Sequence, residues 1–165
     1  MKNKKIIAGV DEVGRGSWVG PVFSAAVILN KNINIKIIKD SKKLSAIKRE
    51  LAFKHIIKNS QFAIGKASVK EIEKKNILQA TLLSMERAIK KLNTKTDLIL
   101  IDGNKIPNIR GVKMKTIIKG DEKVLSISAA SIIAKVTRDN HMKKLSKKFE
   151  GYSWDTNFGY GTKKH

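Results

Sequence analysis

Ile6-Ile7-Ala8-Gly9-Val10-Asp11-Glu12-Val13-Gly14-Arg15-Gly16 is the stretch that decides the fold. Ile6 to Val10 is a compact apolar run that ends in charge, the pattern of a buried strand. A glycine-rich turn follows, and Val22 to Leu29 beyond it is a second β-rich run. Further along, Ile33 to Ile38 predicts a short third strand, Ser45 to Lys58 a helix with Ser45 as N-cap, and Gln61 to Ala67 another strand. Then the period changes. Asn76, with Gln79 three positions on, predicts a capped helix start. Leu78, Leu82, Met85, Ile89 and Leu92 follow at alternating spacings of four and three, one face of an amphipathic helix. Leu98 to Ile101 is purely aliphatic and predicts a central strand, and Lys113 to Ile118 predicts an edge strand. Val124 to about Lys147 lacks Gly and Pro and predicts one long helix, buried at Ile127, Ala130, Ile133 and Ala134 and solvated later. This order gives an α/β domain with a mixed central sheet flanked by helices. With no internal repeat and no Pro/Gly/Ser linker, residues 1–165 read as one domain.

Composition narrows the function. Lys and Arg total 35 against 14 acidic residues, a net charge of +21. Such a field favours a polyanionic partner, nucleic acid first. Part of the excess is compositional, since 35 basic side chains cannot all touch one ligand. No apolar run approaches the roughly 20 residues of a membrane span. The basic start, Met1-Lys2-Asn3-Lys4-Lys5, leads into a short apolar stretch broken by Asp11 and Glu12, unlike a signal peptide. The absence of Cys removes disulfides and thiolate metal sites and fits a reducing, cytoplasmic setting.

In so basic a chain the placement of acids is informative. Asp11 and Glu12 end the first strand, Asp102 ends the run Leu98–Ile101, and Asp121 follows Gly120 at the expected start of the long helix. Ligands of open α/β sheets gather at the carboxyl ends of strands, where these side chains can converge. Clustered carboxylates repel one another unless a cation compensates, and hard divalent ions have the matching oxygen chemistry. His55, His141 and His165 have no metal-ligand spacing. Taken singly, Asp102 and Asp121 also fit a turn and a helix cap.

Motifs carry the reading further. Gly9-Val10-Asp11-Glu12-Val13-Gly14-Arg15-Gly16 resembles the opening signature of the ribonuclease HII family. Further blocks of that family follow in order: Asp40-Ser41-Lys42-Lys43-Leu44-Ser45, Asn76 to Thr81, Ile101-Asp102-Gly103-Asn104, Lys119-Gly120-Asp121, Ser128 to Asp139, and Gly159 to His165. The resemblance covers essentially the whole chain. It implies a ribonuclease H-like fold and a centre of two divalent ions, Mn²⁺ or Mg²⁺, held by Asp11, Glu12, Asp102 and Asp121. It implies cutting of RNA in RNA–DNA hybrids, and 5′ of ribonucleotides embedded in duplex DNA, leaving a 3′-hydroxyl and a 5′-phosphate.

By the same resemblance, the backbone of Gly14, Arg15 and Gly16 reads the ribose 2′-hydroxyl. Glycines allow that close approach, and the 2′-hydroxyl separates RNA from DNA. Tyr160 matches a tyrosine that packs on the sugar at the RNA–DNA junction. Lys42 and Lys43 are candidate phosphate contacts. Asp139 is expected to pair with Arg138 or Lys143, and the small residues 128–131 to serve helix packing. Ser17 stands where the family usually has Pro, a mild change of turn, and the family's usual C-terminal helix and tail do not follow His165. A monomeric cytoplasmic enzyme is the expectation. A hybrid-binding protein with weak catalysis is the alternative, and a nuclease of branched DNA a third.

Overall fold

The computed structural model describes residues 5–39 and 45–163. Strands β1 (Ile7–Val13), β2 (Val22–Leu29), β3 (Ser60–Ala67), β4 (Leu98–Asp102) and β5 (Met114–Ile117) form one sheet in the order β3-β2-β1-β4-β5. β1 pairs antiparallel with β2, and β2 with β3, whereas β1, β4 and β5 run parallel. The sheet is mixed, as expected. β1 takes its centre, β4 lies one place out, and β5 is an edge.

Both faces are covered. Ala25 and Val27 of β2 join a core with α1 (Ile35–Lys39), α2 (Ala46–Asn59) and α6 (Leu125–Ser146), through Ile38, Ala52, Ile56, Ala130 and Ile133. The alternate residues Ala26 and Ile28 face the other way. They pack with Ala8, Val10, Ile99 and Ile101 against Met85, Ala88 and Ile89 of α4 (Ile77–Lys90). Burial on two sides explains why β1 and β2 read as continuous apolar runs. Gly9 sits directly under α6: a Cβ there would overlap the Ser126 carbonyl and the Ile127 nitrogen. The missing side chain is what lets the helix lie on the strand that carries Asp11 and Glu12.

Two expectations change, and one helix is new. Ile33–Ile38 is not a strand. Ile35–Lys39 is a helical turn, with Ile38 fully buried and Ile33 and Ile37 packed on the same core. The spacing of Ile33 and Ile37 fits one helical face, and the Asn34 side chain accepts a bond from the Lys36 N–H at its start (3.1 Å). These local and core contacts override the β preference of isoleucine. A further helix, α3 (Val69–Lys75), begins with a full capping box between Ser68 and Glu71. The long helix runs unbroken over Leu125–Ser146, as expected, but Asp121 does not start it: Asp121 lies on a separate turn, α5 (Gly120–Lys123), and extended Val124 stands between that turn and α6. By contrast, Asn76 caps α4 as expected, its side chain accepting from the Gln79 N–H at 3.0 Å. Among the described residues no helix is long and apolar enough to cross a membrane. A short turn, α7 (Trp154–Asn157), precedes Tyr160.

Candidate active site

The parallel pairing of β1 with β4 builds the site. Val10 stands opposite Ile101, so the next residues, Asp11 and Asp102, come side by side where the parallel pairing of the two strands stops, at the last residue of β4 and two before the end of β1. Asp11 is only 5% exposed, and its Oδ1 accepts the Glu12 N–H at 2.7 Å. Burial first, then the charges of Glu12 and Asp102, push its carboxyl up to about 8, against a bond from Ser131. Glu12 is also raised, chiefly by burial, with Arg15 opposing and Asp102 adding. The Arg15 guanidinium lies 3.6 Å from Glu12 Oε1.

Asp102 reaches toward α5. Its Oδ1 accepts the Gly120 N–H at 2.6 Å and, more weakly, the Asp121 N–H at 3.4 Å. The Asp121 carbonyl in turn accepts from the Ser128 hydroxyl of α6. Thus Asp11, Glu12 and Asp102 share one electrostatic neighbourhood, and the backbone of Asp121 is stapled to it. Among the described residues, no three His, Asp or Glu side chains already form a metal-holding group. Asp11, Glu12 and Asp102 each engage a local donor instead.

Beside the acids lies the glycine loop. Gly14 has φ +104°, and a Cβ there would come 2.5 Å from Arg138 Nε. Both facts demand glycine. Arg15 and Gly16 are exposed, and nothing lies within 4 Å of where a Gly16 Cβ would be.

Arg138 was not singled out from the sequence, yet it organises this region. It is fully buried on α6. Its Nε donates to the Pro21 carbonyl (3.0 Å), and Nη1 to the Phe158 carbonyl (2.8 Å). Its Nη2 donates to Ser17 Oγ (2.7 Å) and to the Val19 carbonyl (2.9 Å). Ser17 also donates to the Gly14 carbonyl at 2.8 Å, so it is a tie to Arg138 as well as a turn residue. The Tyr160 ring faces the guanidinium at 5.3 Å and Lys135 Nζ at 5.6 Å. One cation therefore joins the glycine loop to the tyrosine segment. Asp139 does not pair with Arg138 or Lys143 through a salt bridge; Lys135, one turn back, holds it at 2.9 Å. Lys42 and Lys43 lie outside the described residues. Glu122 is exposed in the first turn of α5.

A mixed five-stranded sheet with helices on both faces, and acids gathered where parallel β1 and β4 end, defines a ribonuclease H-like protein. The comparisons agree. The crystal structure of ribonuclease H2 from Pyrococcus horikoshii OT3 superposes with a TM-score of 0.82 at 29% identity, covering 95% of this chain and 81% of that one. Ribonuclease HII of Pelagibacter ubique (strain HTCC1062) is 63% identical over 98% of this chain and 87% of its own length. Ribonuclease HII of the Wolbachia of Brugia malayi (strain TRS) is 52% identical over 97% and 79%. The sequence model for Ribonuclease HII matches residues 8–165. The chain belongs to the ribonuclease HII family, and it is an enzyme, a ribonuclease H.

Proposed function

We propose that this chain hydrolyses the RNA strand of RNA–DNA hybrids and cuts 5′ of single ribonucleotides in duplex DNA, leaving a 3′-hydroxyl and a 5′-phosphate. The observation that carries the reading is the nearly buried Asp11 carboxylate, driven up to about 8 by burial and by its acidic neighbours beside an open glycine loop. An all-oxygen set that repels itself is matched to hard divalent cations, Mg²⁺ or Mn²⁺. Asp11 and Asp102, on adjacent parallel strands, would hold two such ions together with Glu12 and Asp121. When bound, a pair of ions supplies an activated water and neutralises charge on the leaving oxygen.

The chain's own groups do the selecting. The backbone of Gly14, Arg15 and Gly16 meets the ribose 2′-hydroxyl, where an exposed main chain with no Cβ beyond it can approach a sugar. Tyr160, fixed over Arg138, packs on the sugar at the RNA–DNA junction. Lys42 and Lys43 contact phosphates, and the net charge of +21 makes binding steeply salt-dependent. The chain works as a monomer in the cytoplasm.

The test is a duplex carrying one ribonucleotide, incubated with and without Mn²⁺ beside an all-DNA control. Cutting 5′ of the ribonucleotide only with metal is the expected result. Binding without cutting would favour a hybrid-binding protein, and cutting of the all-DNA duplex would overturn the role of the 2′-hydroxyl.

A further inference from the structure

Trp18 follows the glycine loop directly and is 74% exposed. A large indole left this open in water is unusual, because tryptophan is highly buried on average. Its backbone, by contrast, is fixed from several directions. The Trp18 N–H donates to the Gly159 carbonyl at 2.9 Å, and the Val19 N–H to the same oxygen at 3.3 Å. Arg138 holds Ser17 before it and Val19 after it. The ring itself lies across Gly161: a Cβ there would come 2.5 Å from the indole Cζ2 and 2.9 Å from Cη2. The indole is thus held on a rigid support between the glycine loop and the residue that follows Tyr160.

We propose that Trp18 is a substrate-contacting residue, its aromatic face covering the nucleotide that neighbours the one read by Gly14, Arg15 and Gly16. The inference rests on the nucleic-acid reading above. Two observations and the chemistry of the ring point to a nucleotide. The surroundings are cationic, with Arg15 exposed three residues before and Lys135 near Tyr160. Tyr160, the other ring of the site, is tied to the same Arg138 network. A ring of two rotatable bonds on a fixed backbone loses little freedom on contact, which favours its use in binding. Aromatic contact with a nucleotide is sequence-tolerant, as an enzyme that reads sugars rather than bases requires.

The test separates this contact from catalysis. In a Trp154→Phe background, Trp18 is the sole indole, and its emission is followed while a duplex with one ribonucleotide is added without divalent metal. Quenching that saturates with binding is expected. Trp18→Ala should weaken binding about 10- to 100-fold, while Trp18→Phe keeps most of the affinity. With Mn²⁺ present, Trp18→Ala should raise KM and leave kcat within about twofold, a split that mere loosening of the fold would not produce. If Trp18→Ala binds as tightly as the parent, or if emission is unchanged at saturation, the proposal is overturned. Quenching together with an absence of cutting would sustain Trp18 and count against the hydrolytic reading alone.

Discussion

Replacing Arg138 by Met keeps the length of the side chain and removes its charge and every donor. Four bonds disappear, to the Pro21, Phe158 and Val19 carbonyls and to Ser17 Oγ. Hydrogen bonds from a charged group contribute about 1.5–3 kcal/mol each, which would sum to about 6–12 kcal/mol if they were independent. They are not independent, because removing the guanidinium also removes the cost of keeping a cation fully buried. What is left behind is neutral acceptors and not a stranded charge, at about 1–3 kcal/mol for each one left without a donor; with the Ser17 hydroxyl free to turn, about 3–5 kcal/mol in all is the better guide. For a domain of this size, each kcal/mol shifts Tm by about 2–4 °C, so Arg138→Met should lower Tm by about 6–20 °C. Arg138→Lys, with three donors and no planar fork, should fall between the two. Thermal unfolding followed by circular dichroism reads both. A Tm for Arg138→Met within about 2 °C of the parent would refute the view that this cation joins the glycine loop to the tyrosine segment.

Gly9→Ala should destabilise by the upper part of the about 1–3 kcal/mol typical of overpacking, because the added methyl meets the α6 backbone rather than a side chain that can turn away; the urea midpoint measures it. Glu71 is held near 2, below its ordinary 4.5, first by its bond from Arg87. A depressed carboxyl stabilises the fold above the ordinary value and loses that contribution as pH falls through the depressed one, so Glu71→Gln should cost stability at pH 6 and progressively less from about pH 4.5 down to 2, read by denaturant titration. Asp11 has the opposite sign. Its carboxyl is raised from 3.8 to about 8, so the metal-free protein loses stability as pH climbs between those values. Asp11→Asn should therefore unfold at a higher temperature than the parent at pH 8 without metal, with the advantage shrinking toward pH 5.

What the sequence made legible follows from range. β2 was readable to the residue, and β1 and β5 to within a few, because buried runs and turn glycines are local signals. The capping box at Ser68 and Glu71 was equally local and would have revealed α3. The Ile35–Lys39 turn was not readable, since β-branched propensity and core burial pull in opposite directions there. The start of the long helix next to Val124 was legible, but the separate turn that carries Asp121 was not: nothing in residues 119–125 shows that Asp102 will draw the Gly120 N–H toward β4. The acids of β1 and β4 stood out because acids are scarce in this chain. Arg138 did not, because its partners are mainly main-chain carbonyls, as far as 119 residues away, which carry no side-chain signal. Trp18 was invisible for its role because exposure is a property of the folded chain.

The most direct measurement counts ions. Mn²⁺ bound to the protein, with a hybrid whose scissile linkage resists hydrolysis, can be quantified by electron paramagnetic resonance. Two ions per chain are predicted for the parent, and clear loss for Asp11→Asn and for Asp102→Asn, with the hybrid still bound. Equal Mn²⁺ occupancy in the parent and both variants would contradict a centre built from the ends of β1 and β4.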